Sequence, residues 1–200
     1  QEVSTVPVTN KHRIGLDYDY DYDFVANFVN KVAESGCNKF IVHARNAVLK
    51  GLSPKENRSI PPLNYDYVYR LKKDFPALNI MINGGIATIS EIDRHLQQVD
   101  SVMLGREAYY NPYLFAEVDC RYYGLDSLAP VTRRQVATAM IPYLEEASST
   151  GIRLHHITRH MIGLYHGCKK AKLWRQQLTT QIIKSNSLAE YIQLVAEMEE

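Results

Sequence analysis

Asn83-Gly84-Gly85-Ile86 and Gly105-Arg106-Glu107 are two glycine turns, and each follows a short apolar run. Asn79-Ile80-Met81-Ile82 leads into the first, and Ser101-Val102-Met103-Leu104 into the second. Runs this short, ended by glycine, predict fully buried strands of a parallel sheet. Between them Thr88 and Glu91 have the spacing of a capping box, with Ile89, Ile92 and Leu96 on one side of the helix it opens. The stretch reads as a βαβ unit with glycine after both strands. Glycine lets backbone N–H groups approach an anion, and Arg106 adds a fixed charge with a planar donor fork. Consecutive βα loops of this kind hold a phosphate at the last two strands of a TIM barrel. Either motif alone reads more simply as a tight turn; the pair favours a phosphate site.

Upstream, Val6-Pro7-Val8 predicts a strand that ends near Lys11 and gives way to a loop, Lys11-His12-Arg13-Ile14-Gly15. A lysine at the C-terminal end of a barrel strand points toward the active-site face; on its own it reads as a surface residue. Asp and Tyr alternate from Asp17 to Asp23, a charge density that predicts a solvated loop. The Gly and terminal Glu of an EF-hand loop are missing from it. Phe24, Val25, Phe28, Val29 and Val32 recur at helical spacing, with Gly36 as the C-cap. Lys39-Phe40-Ile41-Val42 predicts the next buried strand, running into His43-Ala44-Arg45. His43 and Arg45, two apart, are expected on one side of that strand, facing a ligand pocket. Ala47 to Leu63 is a polar loop as long as a lid or binding loop, with Gly51 to Arg58 at its centre. Tyr67, Leu71 and Phe75 mark a helix that Pro76 ends.

Downstream the composition changes near Ser127 to Pro130. Thr132 and Gln135 form a second capping box, followed by a stripe of Val136, Ala139, Met140, Tyr143 and Leu144 that Pro142 should kink or shorten. Leu154, Ile157, Met161, Leu164 and Tyr165 form another stripe, opposite Arg153, His156, Arg159 and His160. His156 and His160 are one helical turn apart, but a zincin glutamate is missing, which argues against metal. A final helix is expected from Ser187 to Glu200. Between Gly151 and Ala189 stand seven Lys or Arg and no Asp or Glu, leaving 16 basic against 22 acidic residues elsewhere. Such a one-sided basic region predicts phosphate-backbone binding over a merely solvated face.

The 200 residues, 46% hydrophobic, suffice for one core with a small appendage. No apolar run is long enough for a membrane helix, and no signal-peptide pattern opens the chain. A start at Gln1 and a first strand with no partner before it suggest a piece of a longer chain. Cys37, Cys120 and Cys168 are isolated, which argues against zinc and disulfides and for a reducing, cytoplasmic setting.

In order and spacing, Lys11-His12-Arg13-Ile14-Gly15, His43-Ala44-Arg45, Gly51 to Arg58, the two glycine turns and His156-Ile157-Thr158-Arg159-His160-Met161 closely resemble tRNA-dihydrouridine synthases of the A-type bacterial subfamily. The resemblance implies an α/β fold: a (β/α)8 TIM barrel of which the last four βα units are present, at residues 1–126. A small all-helical tRNA-binding domain is expected at 127–200. It implies an FMN enzyme in which NADPH reduces the flavin and a hydride passes to the uracil C5=C6 bond in the tRNA D-loop, at positions 20 and 20a. Lys11, His43, Asn83, Gly84, Gly85, Gly105 and Arg106 would hold the cofactor. Arg45 would contact the target base, and Lys55, Arg58, Arg159 and Arg175 would grip tRNA. The family's acidic cysteine has no matching motif in this chain and is expected upstream, so the chain alone is expected to be inactive. The full-length protein is expected to be a monomer.

Two other readings compete. A different FMN barrel, of dihydroorotate-oxidoreductase type, would explain the glycine turns but not the basic helical region. A non-catalytic RNA-binding module would explain that region but not the clustered pocket residues.

Overall fold

The computed structural model describes residues 6–18, 21–124 and 130–198. The chain forms two compact units, divided between Gly105 and Arg106. The boundary expected at 126/127 lies outside the described residues.

The first unit is built on four parallel strands in sequential order: β1 (Asn10–Arg13), β2 (Lys39–His43), β3 (Asn79–Asn83) and β4 (Ser101–Met103). The helices α1 (Tyr22–Glu34), α2 (Tyr65–Asp74) and α3 (Ile89–Leu96) connect them. Four parallel strands joined by three successive helices repeat the βα step expected of a barrel. Alternation along the strands separates two faces. Phe40 and Val42 of β2 and Ile80 and Ile82 of β3 are fully buried. Ile41, His43, Met81 and Asn83 stand on the opposite face and are only half-buried. The expectation of fully buried strands is therefore corrected. Only one face of β3 is sealed, and β4, at the end of the sheet, is half-exposed throughout.

Local signals shape the helices. Asp21 caps α1 by accepting from the Asp23 N–H at 2.9 Å, and Gly36 ends it at φ +90°. Thr88 and Glu91 make the reciprocal capping box of α3. Val25 and Val29 are the buried side of α1, whereas Phe24 and Phe28 are exposed. The buried side of α3 is also displaced from the expected one. It carries Ile92 and His95, while Leu96 is exposed. His95 is tolerated there because the Tyr69 hydroxyl lies 2.7 Å from its Nδ1 and the Tyr65 ring packs edge-on at 4.5 Å. The first strand is corrected as well. Val6 and Val8 are exposed and precede the strand, and Lys11, His12 and Arg13 lie within it. Pairing with β2, and not apolar content, makes this segment a strand.

The second unit opens with α4 (Arg106–Tyr110) and α5 (Val118–Tyr123). The stripe after Thr132 is two helices, α6 (Arg133–Ala139) and α7 (Ile141–Ser149), because Pro142 occupies the first turn of the second. The expected second stripe is a single turn, α8 (His155–Thr158), followed by a 3-10 turn at Ile162–Tyr165. Helices α9 (Ala171–Gln176), α10 (Ile182–Ser185) and α11 (Leu188–Glu197) complete it. Trp174, set in the basic run, is fully buried with Tyr165, Leu178 and Tyr191, and its indole N–H donates to the Met161 carbonyl at 2.9 Å. No described helix is long and apolar enough to cross a membrane.

Candidate cofactor and nucleic-acid sites

The last residues of the four strands form one register row, Arg13–His43–Asn83–Met103. Because the strands are parallel and end together, this row is the floor of a cavity of about 860 Å³. Lys11, Gly105 and, from the loop after β2, Pro54, Asn57 and Arg58 also line it. The volume is that of a cofactor site. Among the described residues the lining includes Lys11, Arg13 and Arg58 and no Asp or Glu, a charge balance that suits an anion. Burial, then the neighbouring guanidiniums of Arg45 and Arg58, lower the Arg13 pKa, which shows how closely the positive charges are gathered.

The floor is tied together by hydrogen bonds. The Asn83 amide donates to the Met103 carbonyl at 2.8 Å, which turns Oδ1 toward Lys11, whose Nζ is 3.5 Å away. Arg13 Nη1 donates to the carbonyls of Asn46 at 2.7 Å and Asn57 at 2.9 Å. Asn57 in turn accepts from the Val48 N–H and donates to the Val48 carbonyl, which pins the polar loop to the sheet end. The long loop is thus an ordered wall of the cavity.

The structure brings Lys11, His43, Asn83, Gly105 and Arg58 together. Gly84 and Gly85 sit in the turn behind the floor. Gly84 has φ +121° and its carbonyl accepts from Tyr65 at 2.7 Å; a Cβ there would lie 2.7 Å from His43 Cδ2. A Cβ on Gly85 would lie 2.7 Å from Leu63. Both glycines are needed for close packing, whereas the space around Gly105 is open. Arg45 is not beside His43 on the strand, because β2 ends at His43 and the chain turns there, with the Arg45 N–H donating to the His43 carbonyl at 2.7 Å. Its side chain is buried and donates to the Pro61 carbonyl. Lys55 is exposed on the polar loop, and Arg106 is exposed at the start of α4.

His12, Arg13, Phe24 and Phe28 also line the cavity, and none of them is among the site residues expected from the sequence. His12 packs against Phe28 and Phe40. Its Nδ1 lies 2.8 Å from the Arg13 carbonyl, an acceptor only, so Nδ1 carries the proton of the neutral ring. Burial lowers its pKa against the raising effect of that hydrogen bond, with Lys11 lowering it further. Phe24 and Phe28 follow the same helical spacing as the core residues of α1, so no sequence signal separates them.

Cys37 is buried, with Sγ near the carbonyls of Val8 and Lys39, and none of the three cysteines lines the cavity. A bound FMN fits what is present. The space is large enough, its lining includes the rings of Phe24 and Phe28 as well as Lys11, Arg13 and Arg58, and the space around Gly105 is open.

In the second unit Arg159 and Arg175 line a separate cavity of about 510 Å³ with Tyr109, Tyr110 and His160. His160 does not pair with His156 around a metal. Its Nδ1 is 2.8 Å from the Tyr109 hydroxyl and its Nε2 accepts from Arg159 Nε at 3.1 Å, while His156 packs on His155.

The model of the family Dihydrouridine synthase (Dus) matches residues 1–198. A "tRNA-dihydrouridine(20/20a) synthase" of Shewanella oneidensis is 50% identical over 194 residues, 97% of this chain and 58% of the relative. Proteins of the same name from Synechocystis sp. and Haemophilus ducreyi are 49% and 50% identical, over 96% of this chain and 58% and 59% of their own lengths. The chain therefore spans less than two thirds of the relatives it matches.

Proposed function

The chain belongs to the dihydrouridine synthase family, and from that premise we propose that the strand-end cavity holds FMN beside a uracil of the tRNA D-loop, at positions 20 and 20a. The observation that carries this reading is the row Arg13–His43–Asn83–Met103 under a cation-lined cavity of cofactor size. When bound, FMN reduced by NADPH supplies the hydride for the uracil C5=C6 bond.

The chain's own residues position and neutralise. Lys11 and His43 face the cofactor from the floor, with Lys11 oriented by Asn83. Gly105 and the adjacent Arg106 take the phosphate, open backbone followed in the chain by a guanidinium. Gly84 and Gly85 contribute by letting the turn after β3 pack against His43 and Leu63. Arg58 and Lys55, on the ordered loop, meet tRNA phosphates at the cavity mouth, and Arg159 and Arg175 do so in the second unit. The uracil must leave its stack to enter such a cavity. Arg45, bound to the Pro61 carbonyl, shapes the loop that the base passes. The setting is the cytoplasm.

Flavin fluorescence quenching on titration with FMN tests the site. Saturable quenching is expected, weaker in Lys11→Ala and Arg106→Ala than in a control Arg94→Ala. Unchanged emission, or equal affinity in all four proteins, would count against it. Formation of 5,6-dihydrouridine in a tRNA transcript, lost when uridines 20 and 20a are replaced, tests the reaction.

A further inference from the structure

The cavity of the second unit has features that backbone binding alone does not need. Tyr109 and Tyr110 are 50% and 60% exposed, and their rings meet edge to face at 5.5 Å. Tyrosine rings exposed at a cavity wall offer a face on which a flat partner can stack. The cavity lining is basic through Arg159 and Arg175 and, among the described residues, contains no Asp or Glu.

The aromatic wall is fixed from two sides. Arg159 Nε can only donate, so His160 Nε2 accepts, and a neutral ring then carries its proton on Nδ1. Nδ1 therefore donates to the Tyr109 oxygen at 2.8 Å. The Tyr109 hydroxyl hydrogen is therefore not used in the bond to His160. Behind Tyr110, a Cβ on Gly163 would lie 2.4 Å from the Tyr110 carbonyl oxygen, so Gly163 lets the 3-10 turn press against that backbone.

We propose that this cavity seats one unpaired nucleotide of the RNA, its base stacked on the Tyr110 ring and its phosphate held by Arg159 and Arg175. The proposal rests on the reading that tRNA is the substrate, and goes beyond it in assigning base stacking to the helical unit. A face-on base matches an exposed tyrosine, a phosphate matches two guanidiniums, and the Tyr109 hydroxyl supplies a donor to a base or ribose acceptor.

Stacking and charge separate by salt dependence. Binding of a tRNA transcript is measured by fluorescence anisotropy across salt concentrations for wild type, Tyr110→Ala, Tyr110→Phe and Arg175→Ala. Tyr110→Ala should weaken binding about tenfold with the log–log salt slope unchanged, since no counterion is involved. Tyr110→Phe should bind like wild type, and Arg175→Ala should lower the slope by about one. Quenching of a single-stranded tetranucleotide containing 2-aminopurine gives a direct readout, expected in wild type and Tyr110→Phe and absent in Tyr110→Ala. If tRNA binds but Tyr110→Ala stays within twofold of wild type and no quenching occurs, the subsite is wrong and the proposed function stands. If Tyr110→Ala also lowers the slope, the ring merely supports the arginines and the proposal falls. If the oligonucleotide is quenched but tRNA does not bind, the subsite stands and the proposed function falls.

Discussion

The side-chain amide of Asn83 donates to the main-chain carbonyl of Met103 at 2.8 Å, and the two residues face each other across β3 and β4. This bond fixes which atom Asn83 offers to the cavity. With Nδ2 used, Oδ1 is directed at Lys11. Asn83→Ala should lose about 1 kcal/mol of stability for the one net hydrogen bond. Asn83→Asp should cost more in FMN affinity, because a carboxylate there opposes the Met103 carbonyl and repels an anionic ligand. An FMN affinity at least tenfold weaker than wild type is expected by fluorescence titration. Equal affinities for wild type and both variants would remove Asn83 from the site.

Gly84 and Gly51 both have positive φ, +121° and +88°, but only Gly84 is crowded. Gly51→Ala should cost roughly 1 kcal/mol of backbone strain. Gly84→Ala adds a clash with His43 and Leu63, about 1–3 kcal/mol further, and should displace the His43 ring from the cavity. Urea denaturation of the two variants measures the difference. Equal destabilisation would mean that the neighbours of Gly84 move aside freely.

The contrast also shows what was legible in the chain. A capping box or a C-cap glycine acts within a few residues, so Thr88 and Gly36 are legible directly; Pro142 reads as a kink, whereas it starts a separate helix. The strand Asn10–Arg13 could not, because its residues are polar and only pairing with β2 makes them a strand. The buried His95 on α3 depends on Tyr65 and Tyr69 of α2, so the apolar stripe alone pointed to Leu96. Strand periodicity places Arg45 beside His43 only if β2 continues, and β2 ends at His43. Lys11, His43, Asn83 and Gly105 line one cavity because strand ends in parallel sheets gather at one rim, but it is the family resemblance that groups them, since Lys11 alone reads as a surface residue. Phe24 and Phe28 are not legible as lining residues, since a helix facing both core and cavity is apolar on both sides.

Two desolvated histidines give a pH signature. Burial lowers the pKa of both His12 and His95 below 6.5, with Lys11 and Arg94 respectively adding to the effect. The unfolded chain then binds more protons than the folded one as pH falls below about 6.5, so stability rises with pH through that window. It is fully present above the unfolded value and lost as pH falls through the folded values. The urea midpoint should therefore drop between about pH 7.5 and 5.5. His95→Gln, which keeps a polar group near Tyr69, should flatten that drop while lowering the midpoint at pH 7.5. A midpoint that rises on acidification would contradict the assignment of neutral rings.

Arg159 and Arg175 line one cavity of the second unit, whereas the described residues that line the strand-end cavity all belong to the first. Their replacement should therefore separate the two binding functions. The double variant Arg159→Ala/Arg175→Ala should bind tRNA more weakly, with a log–log salt slope reduced by about two, one for each phosphate that the protein no longer neutralises. Part of the effect of Arg159 passes through His160, whose Nε2 is then without its donor. The FMN dissociation constant should match wild type. Lys55→Ala is the complementary variant, since Lys55 is exposed on the loop that walls the flavin cavity. It should slow dihydrouridine formation at saturating tRNA if that loop positions the D-loop for reaction. An unchanged salt slope in the double variant would show that these arginines do not touch phosphates. Loss of flavin in step with tRNA would show that the second unit supports the first and does not grip RNA.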